Sequence, residues 1–347
     1  MPARMRTVAA LALLLAIWST GLTFAAKPTV DPTAAVIIIK TDRGTGTGFI
    51  CQLGTSNYIV TCTHVLSGAQ QFDFQTINGT RLQAVTLELA DDRDLARISI
   101  ADDNPPALTA AITDAKINDP IIVLGNSAGA GVVTRLEGKV NAVGPALLEV
   151  DAQFVSGNSG SPVLNARNKV LAVASFVSRA GSTNWVNSGT RFTETRRFGA
   201  RLQGAQWLPI TPRRLYEESS ILNDLDTFLR DSATIVNMLH ERNFTDLVQL
   251  AVQQRVDHPP RYHDPAYSQK ISGVCTSLND ANQAYKRGLD MRSGSVAATL
   301  KSAEMAYKSF PTLPLQKLHE TRWSTQHYRD RAAKFEKIFN DWKLEAR

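Results

Sequence analysis

The sequence predicts an all-β domain, a sandwich or barrel, followed by an all-α domain. Three observations lead there. From about residue 34 to about residue 178, short β-branched runs alternate with Gly, Asn, Asp and Pro, the pattern of many short strands separated by turns. After that the punctuation changes: Thr211-Pro212 and Asp264-Pro265 each look like an N-cap followed by proline at the first helical position. Near the end Tyr328, Ala332, Phe335, Phe339 and Trp342 recur at steps of four, three, four and three, which puts them on one stripe of a helix. A length of 347 residues with 43% hydrophobic content suits two domains with their own cores and excludes a disordered chain.

The chain begins with Arg4 and Arg6, an apolar run over residues 8–18, and a small-residue exit ending Thr23-Phe24-Ala25-Ala26. That order describes a secretory signal peptide cleaved after Ala25. Its apolar run is shorter than the roughly 20 residues needed to span a bilayer, so residues 1–25 are expected to be removed rather than kept as an anchor. No later segment is apolar for long enough to span, and the mature protein is expected to be exported, periplasmic or secreted, with no transmembrane segment.

Residues 34–210 form the expected β domain, with apolar runs at 36–40, 58–61, 82–89, 95–100, 121–124, 147–150 and 170–176. Asn78-Gly79 is the strongest hairpin signal, and Pro105-Pro106 is a connector between two halves. Cys51 and Cys62 lie on two runs joined by a more polar segment. In a hairpin Cys51 would face Tyr58 and Cys62 would face Thr47, which places the thiols about 13 Å apart. That exceeds the limit of about 7 Å for a bridge, so both are expected as buried free thiols. Residues 211–347 form the expected α-helical domain, its aromatic stripe covered by helices of the same chain or by a second copy.

Three short segments of the β domain each carry one member of a nucleophilic triad. An apolar strand at 58–61 delivers His64 at its end, Asp94 stands just before the run that begins at Leu95, and Ser159 lies between glycines in Ser156-Gly157-Asn158-Ser159-Gly160-Ser161-Pro162. A serine hydroxyl attacks only when a base removes its proton, and histidine suits that task at neutral pH. A carboxylate orients the imidazole and stabilises its charged form. The glycines allow a tight turn whose Gly157 and Ser159 N–H groups would form an oxyanion hole. Asp91 and Asp92 compete for the aspartate role.

At this point the sequence resembles the trypsin-like, chymotrypsin-fold serine peptidases, and most closely the bacterial HtrA/Deg branch. The similar stretches are Gly46-Thr47-Gly48-Phe49-Ile50, Val60-Thr61-Cys62-Thr63-His64-Val65, Asp92-Arg93-Asp94-Leu95-Ala96, the segment from Gly125-Asn126 to Gly138-Lys139-Val140, and Asp151-Ala152 with Gly157-Asn158-Ser159-Gly160-Ser161-Pro162. The resemblance covers residues 34–178 and selects Asp94 because Leu95-Ala96 follows it. It implies a chymotrypsin-like double barrel of two six-stranded barrels, a triad of His64, Asp94 and Ser159 in the cleft, and no cofactor or metal. It also implies a specificity pocket lined by the loop before the nucleophile, here Gln153, Phe154 and Val155, which offers no carboxylate for a Lys or Arg substrate side chain. Two departures stand out. Asn158 replaces the aspartate that pairs with a freed amino terminus in digestive relatives, and helical sequence stands where HtrA proteins usually carry PDZ modules.

The function expected from these residues is a serine endopeptidase acting on proteins or peptides. The alternative is a catalytically silent binding protein of the same fold. A chain cut after about residue 210 is expected to react still at Ser159. The formal charge of +6 is mild and comes without a dense basic block, so nucleic acid is not an expected partner. His258 and His263 lie near Asp257 and Asp264, yet the prolines between the histidines point to a loop rather than a metal site. Gly44 to Gly48 reads as a flexible lead-in, and the basic stretch 191–201 as a solvated loop.

Overall fold

The computed structural model describes residues 31–102, 105–179 and 195–240, with scattered residues between 250 and 337. Among the described residues, fourteen strands form one hydrogen-bonded sheet. They are β1 (Val36–Thr41), β2 (Gly44–Leu53), β3 (Ser56–Thr61), β4 (Phe72–Thr76), β5 (Ala84–Ala90), β6 (Ala96–Ile100), β7 (Leu108–Ala110), β8 (Pro120–Gly125), β9 (Thr134–Val143), β10 (Leu147–Val150), β11 (Pro162–Asn165), β12 (Lys169–Arg179), β13 (Thr195–Arg201) and β14 (Trp207–Ile210). A single turn, α1 (Thr63–Leu66), follows β3, and a long helix, α2 (Pro212–His240), follows β14.

The sheet curls twice. In the first barrel the order is β4-β1-β2-β3-β6-β5, with β14 added beyond β5. In the second, β11 pairs with both β8 and β12 and closes the ring β8-β9-β10-β13-β12-β11. The short β7 runs parallel to both β2 and β12 and links the two. This is the β-rich double barrel that the resemblance implies.

Period-two alternation explains why several strands read as unbroken apolar runs. Ile50 and Ile59 face the core of the first barrel with Ile37, Ile39, Phe74 and Leu89. Their neighbours Phe49, Cys51, Val60 and Cys62 face the opposite way, into a cluster shared with Leu124, Leu164 and Val173 of the second barrel. The β2–β3 hairpin is therefore buried on both faces. Cys51 pairs across it with Tyr58, as the sequence predicts, and both Cys51 and Cys62 are buried free thiols.

Two segments differ from expectation. The lead-in at 44–48 is already strand β2, and Gly46 is packed so closely that a Cβ there would lie 2.6 Å from Val65 Cγ1. Residues 195–201 of the basic stretch form β13 between β10 and β12 rather than a loop. Its arginines are anchored: Arg196 to Glu149 at 2.6 and 3.1 Å, Arg197 to Phe154 O at 3.0 Å, and Arg201 to Gly144 O at 2.7 Å.

Helix α2 starts where the sequence places it. The Arg214 N–H donates to Thr211 Oγ1 at 3.2 Å, an N-cap, and Leu215 enters the core of the first barrel. Helical residues recur among those described beyond 250. Of the aromatic stripe, Tyr328 is buried, while Ala332, Phe335, Phe339 and Trp342 lie outside the described residues, as do residues 1–30 with the expected signal segment.

Candidate active site

The apolar strand β3 ends at Thr61, and the chain turns out of the core through α1, exposing His64. Thr63 Oγ1 donates to Leu95 O at 2.9 Å, which ties α1 to the hairpin of β5 and β6. Residues 91–95 connect that hairpin, closed by Ala90 N–H to Leu95 O at 2.8 Å, and Asp94 is the last but one of them. Two bonds follow: the His64 N–H donates to Asp94 Oδ1 at 3.0 Å, and His64 Nδ1 lies 2.6 Å from Asp94 Oδ2. An ionised carboxylate only accepts, so the proton sits on Nδ1 and Nε2 is left as the basic nitrogen. The imidazole is 41% exposed and the carboxylate 11%.

The Ser159 loop belongs to the second barrel, between β10 and β11. Gly157 and Gly160 both have φ of +89°, a conformation that L side chains rarely adopt. A Cβ at Gly160 would lie 1.8 Å from Thr47 O, and one at Gly157 2.2 Å from Asn126 O. Thr47 of β2 holds this loop against the first barrel: its N–H donates to Ser159 O at 2.9 Å and its Oγ1 to Gly157 O at 2.7 Å.

The three motifs meet on two consecutive residues of β12. Ala174 O accepts the Gly160 N–H at 2.9 Å and the Cys62 thiol at 3.3 Å, so the chain beside Ser159 and the chain beside His64 share one acceptor. Ser175 Oγ then donates to Asp94 Oδ2 at 2.6 Å. Residues 46–173 match the model of the trypsin-like peptidase domain family.

The chain is similar to the periplasmic pH-dependent serine endoprotease DegQ of Escherichia coli K12, 28% identical over 152 residues, which are 40% of this chain and 32% of that protein. It is also similar to a probable periplasmic DegP-like serine endoprotease of Chlamydia muridarum, 31% identical over 158 residues, 43% of this chain and 31% of that one. Among solved structures, a serine endoprotease from Yersinia pestis aligns at 25% identity and a TM-score of 0.40, covering 49% of this chain and 59% of that one. The chain spans about a third of the length of the curated relatives it matches.

Electrostatics at the site favour an ion pair between His64 and Asp94. Burial opposes charging of His64, but the Asp94 charge and hydrogen bond outweigh it and raise the imidazole above its ordinary pKa. Burial would raise Asp94, yet the His64 charge and the hydrogen bonds from His64 and Ser175 hold it below the usual carboxylate range. Cys62, His64 and Asp94 offer ligand atoms within 4.8 Å of one another. A metal would need the thiolate, however, and burial followed by the Asp94 charge pushes the Cys62 thiol well above its ordinary value. It stays protonated and donates to Ala174 O.

Around Ser159, the Asn158 N–H bonds Val155 O at 3.0 Å and the Gly160 N–H bonds Ala174 O. The N–H groups of Gly157 and Ser159 have no acceptor among the described residues. Nor does a hydrogen bond join Ser159 Oγ to His64 among them. Asn158 is fully buried, and its Oδ1 accepts from Val155 N–H at 3.0 Å and Ser127 Oγ at 3.1 Å, so the residue is fixed from within the chain. The three residues expected to line a specificity pocket diverge. Phe154 is buried in the second barrel's core, Val155 is 48% exposed, and Gln153 lines a groove of about 810 Å³ with Lys139 and Asp151. His64, Asp94 and Ser159 do not line that groove.

Sequence reasoning missed Ser175. A lone serine in an apolar strand carries no motif. The available signal was a small polar residue interrupting the run at 170–176, where the β12–β13 register shifts between Ala174 and Phe176.

Proposed function

We propose that the chain is an exported serine endopeptidase that cleaves protein or peptide substrates through an acyl-enzyme. Ser159 Oγ attacks the scissile carbonyl carbon while its proton passes to His64 Nε2. Asp94 holds the imidazole in the required tautomer and stabilises the imidazolium. The oxyanion of the tetrahedral intermediate takes hydrogen bonds from the Gly157 and Ser159 N–H groups, each typically contributing about 2.7–4 kcal/mol to the transition state. His64 then gives its proton to the leaving amine, and water repeats the sequence to release the acid.

One observation carries this reading: Ala174 and Ser175 draw the His64, Asp94 and Ser159 segments onto one point of β12. Export is supported by the periplasmic relatives and by the basic, apolar, small-residue start. No helix among the described residues is long and apolar enough to cross a membrane. Cleavage after small or medium apolar residues fits the neutral Gln153. The nearby carboxylates are already engaged, Glu149 with Arg196 and Asp151 with the Lys139 N–H at 2.6 Å.

The missing Ser159–His64 hydrogen bond favours a second reading, a silent binding protein of the same fold. Such bonds are often long before substrate binds and tighten in the complex, so the peptidase reading is preferred. Casein and a peptide library, incubated with wild type and with Ser159→Ala and read by mass spectrometry, test it. Cleavage by wild type alone is the expected result, with few cuts after Lys or Arg. No cleavage by the folded wild type would favour the binding role.

A further inference from the structure

The connection between β5 and β6 is five residues long, 91–95, and is pinned at nearly every one. Asp94 holds His64, and the buried Arg93 donates to Arg201 O at 2.8 Å and Gln203 O at 3.0 Å while its guanidinium grips Asp92 at 2.8 and 2.9 Å. The first residue, Asp91, takes its partners from the far end of the sequence. Its Oδ1 accepts the Arg322 N–H at 2.9 Å, its backbone O accepts the Trp323 N–H at 2.8 Å, and its Oδ2 meets Arg322 Nε. Those donors belong to the first turn of a helical segment that Thr321 caps, its Oγ1 accepting the Ser324 N–H at 3.0 Å. A carboxylate at a helix start also meets the favourable end of the helix dipole. Asp91 and Asp94 are three residues apart, within about 10 Å of chain, inside a loop whose ends are fixed by strand pairing.

We propose that Asp91 and Arg322 are positioning residues: they tie the C-terminal helical segment to the loop that carries Asp94, and so make the reactivity of the His64–Asp94 pair depend on that segment. This rests on the reading of His64, Asp94 and Ser159 as a triad. Two of the three bonds to Asp91 come from backbone N–H groups, so Asp91 matters more than the Arg322 side chain, which is 73% exposed.

The test uses the full mature chain and a fluorophosphonate that labels the nucleophile, with kcat and KM measured on a peptide that wild type cleaves. Asp91→Ala is expected to lower the labelling rate and kcat about tenfold with KM unchanged, the effect of a small misplacement. Arg322→Ala is expected to lower both about threefold, and the double variant to match Asp91→Ala, because one contact is being removed. Arg322→Lys should recover part of the loss. The acidic limb of the labelling profile separates positioning from simple destabilisation. A loosened Asp94 stabilises the imidazolium less, so the limb moves to lower pH while the plateau falls; a smaller folded fraction lowers the plateau alone. Failure of wild type to label would overturn the triad reading, and this inference with it. Normal labelling of wild type with Asp91→Ala and Arg322→Ala both within twofold of it, or an unmoved limb, would refute the tie alone. Should Asp91→Ala not fold, the exposed Arg322→Ala decides by the same two readouts.

Discussion

In the first barrel the site is made of side chains, His64 on Asp94 with strand pairing beneath them, and Ser175 reaches Asp94 from β12 of the second. In the second barrel it is made of main chain, the turn from Gly157 to Gly160, whose shape depends on two left-handed glycines and on the absence of a Cβ against Thr47 O and Asn126 O. The difference teaches where tolerance lies. A side chain that orients charge can be exchanged for an isostere at a cost in rate while the barrel stays packed. A backbone turn wedged against a neighbouring strand has no such exchange, and its loss takes fold and rate together.

Substitutions should reveal that contrast. Ser159→Ala, which removes the proposed nucleophile and little else, is expected to lower kcat about 10⁶-fold with an unchanged melting temperature. On the side-chain half, Asp94→Asn is expected to lower kcat/KM about 10⁴-fold through loss of the tautomer, with circular dichroism like wild type. Gly160→Ala, on the main-chain half, is expected to destabilise by about 3 kcal/mol or more and to reduce activity in parallel, as denaturant titration beside labelling would read. If Gly160→Ala were as stable as wild type, or Asp94→Asn unfolded instead, the contrast between the halves would be lost. Ser175→Ala, which removes one bond to Asp94, is expected to cost about tenfold in kcat.

The pH dependence sharpens the same comparison. In the proposed mechanism only neutral His64 takes the serine proton, and its pKa is raised, so labelling should rise with pH through a limb above about 6.5. For stability the signs differ. The raised His64 pKa contributes stability that is present below about 6.5 and lost as pH rises through the folded value. The lowered Asp94 pKa contributes stability present above its ordinary value and lost as pH falls through the folded one. The stability difference between wild type and His64→Ala should therefore be larger near about pH 5, where both groups are charged, than near about pH 9.

What the sequence revealed depended on whether a residue's role was local. His64, Asp94 and Ser159 stood out as a candidate triad because each lies near a strand end in a distinctive neighbourhood. The Cys51–Tyr58 register followed from two apolar runs joined as a hairpin by the more polar residues 52–57. Ser175 was not legible, because its importance comes from Asp94, 81 positions away. The arginines of β13 read as a solvated loop because charge dominates their composition, yet Glu149, Phe154 O and Gly144 O take the guanidinium groups while Gly199 and Ala200 lie against β12. Gly46 looked like slack because the side chain that fills its missing Cβ belongs to Val65. Phe154 looked like a pocket wall, but Val123, Val140 and Leu148 enclose it in a core the linear pattern does not delimit.

The central claim is that His64, Asp94 and Ser159 act as one unit. Mapping the adduct of a fluorophosphonate on the full mature chain by peptide mass spectrometry, beside Asp94→Asn and Ser159→Ala, tests it most directly. The account expects a single adduct on Ser159 in wild type, the same adduct formed far more slowly in Asp94→Asn, and none in Ser159→Ala. An adduct on another residue, or labelling of Ser159 at the wild-type rate in Asp94→Asn, would contradict it.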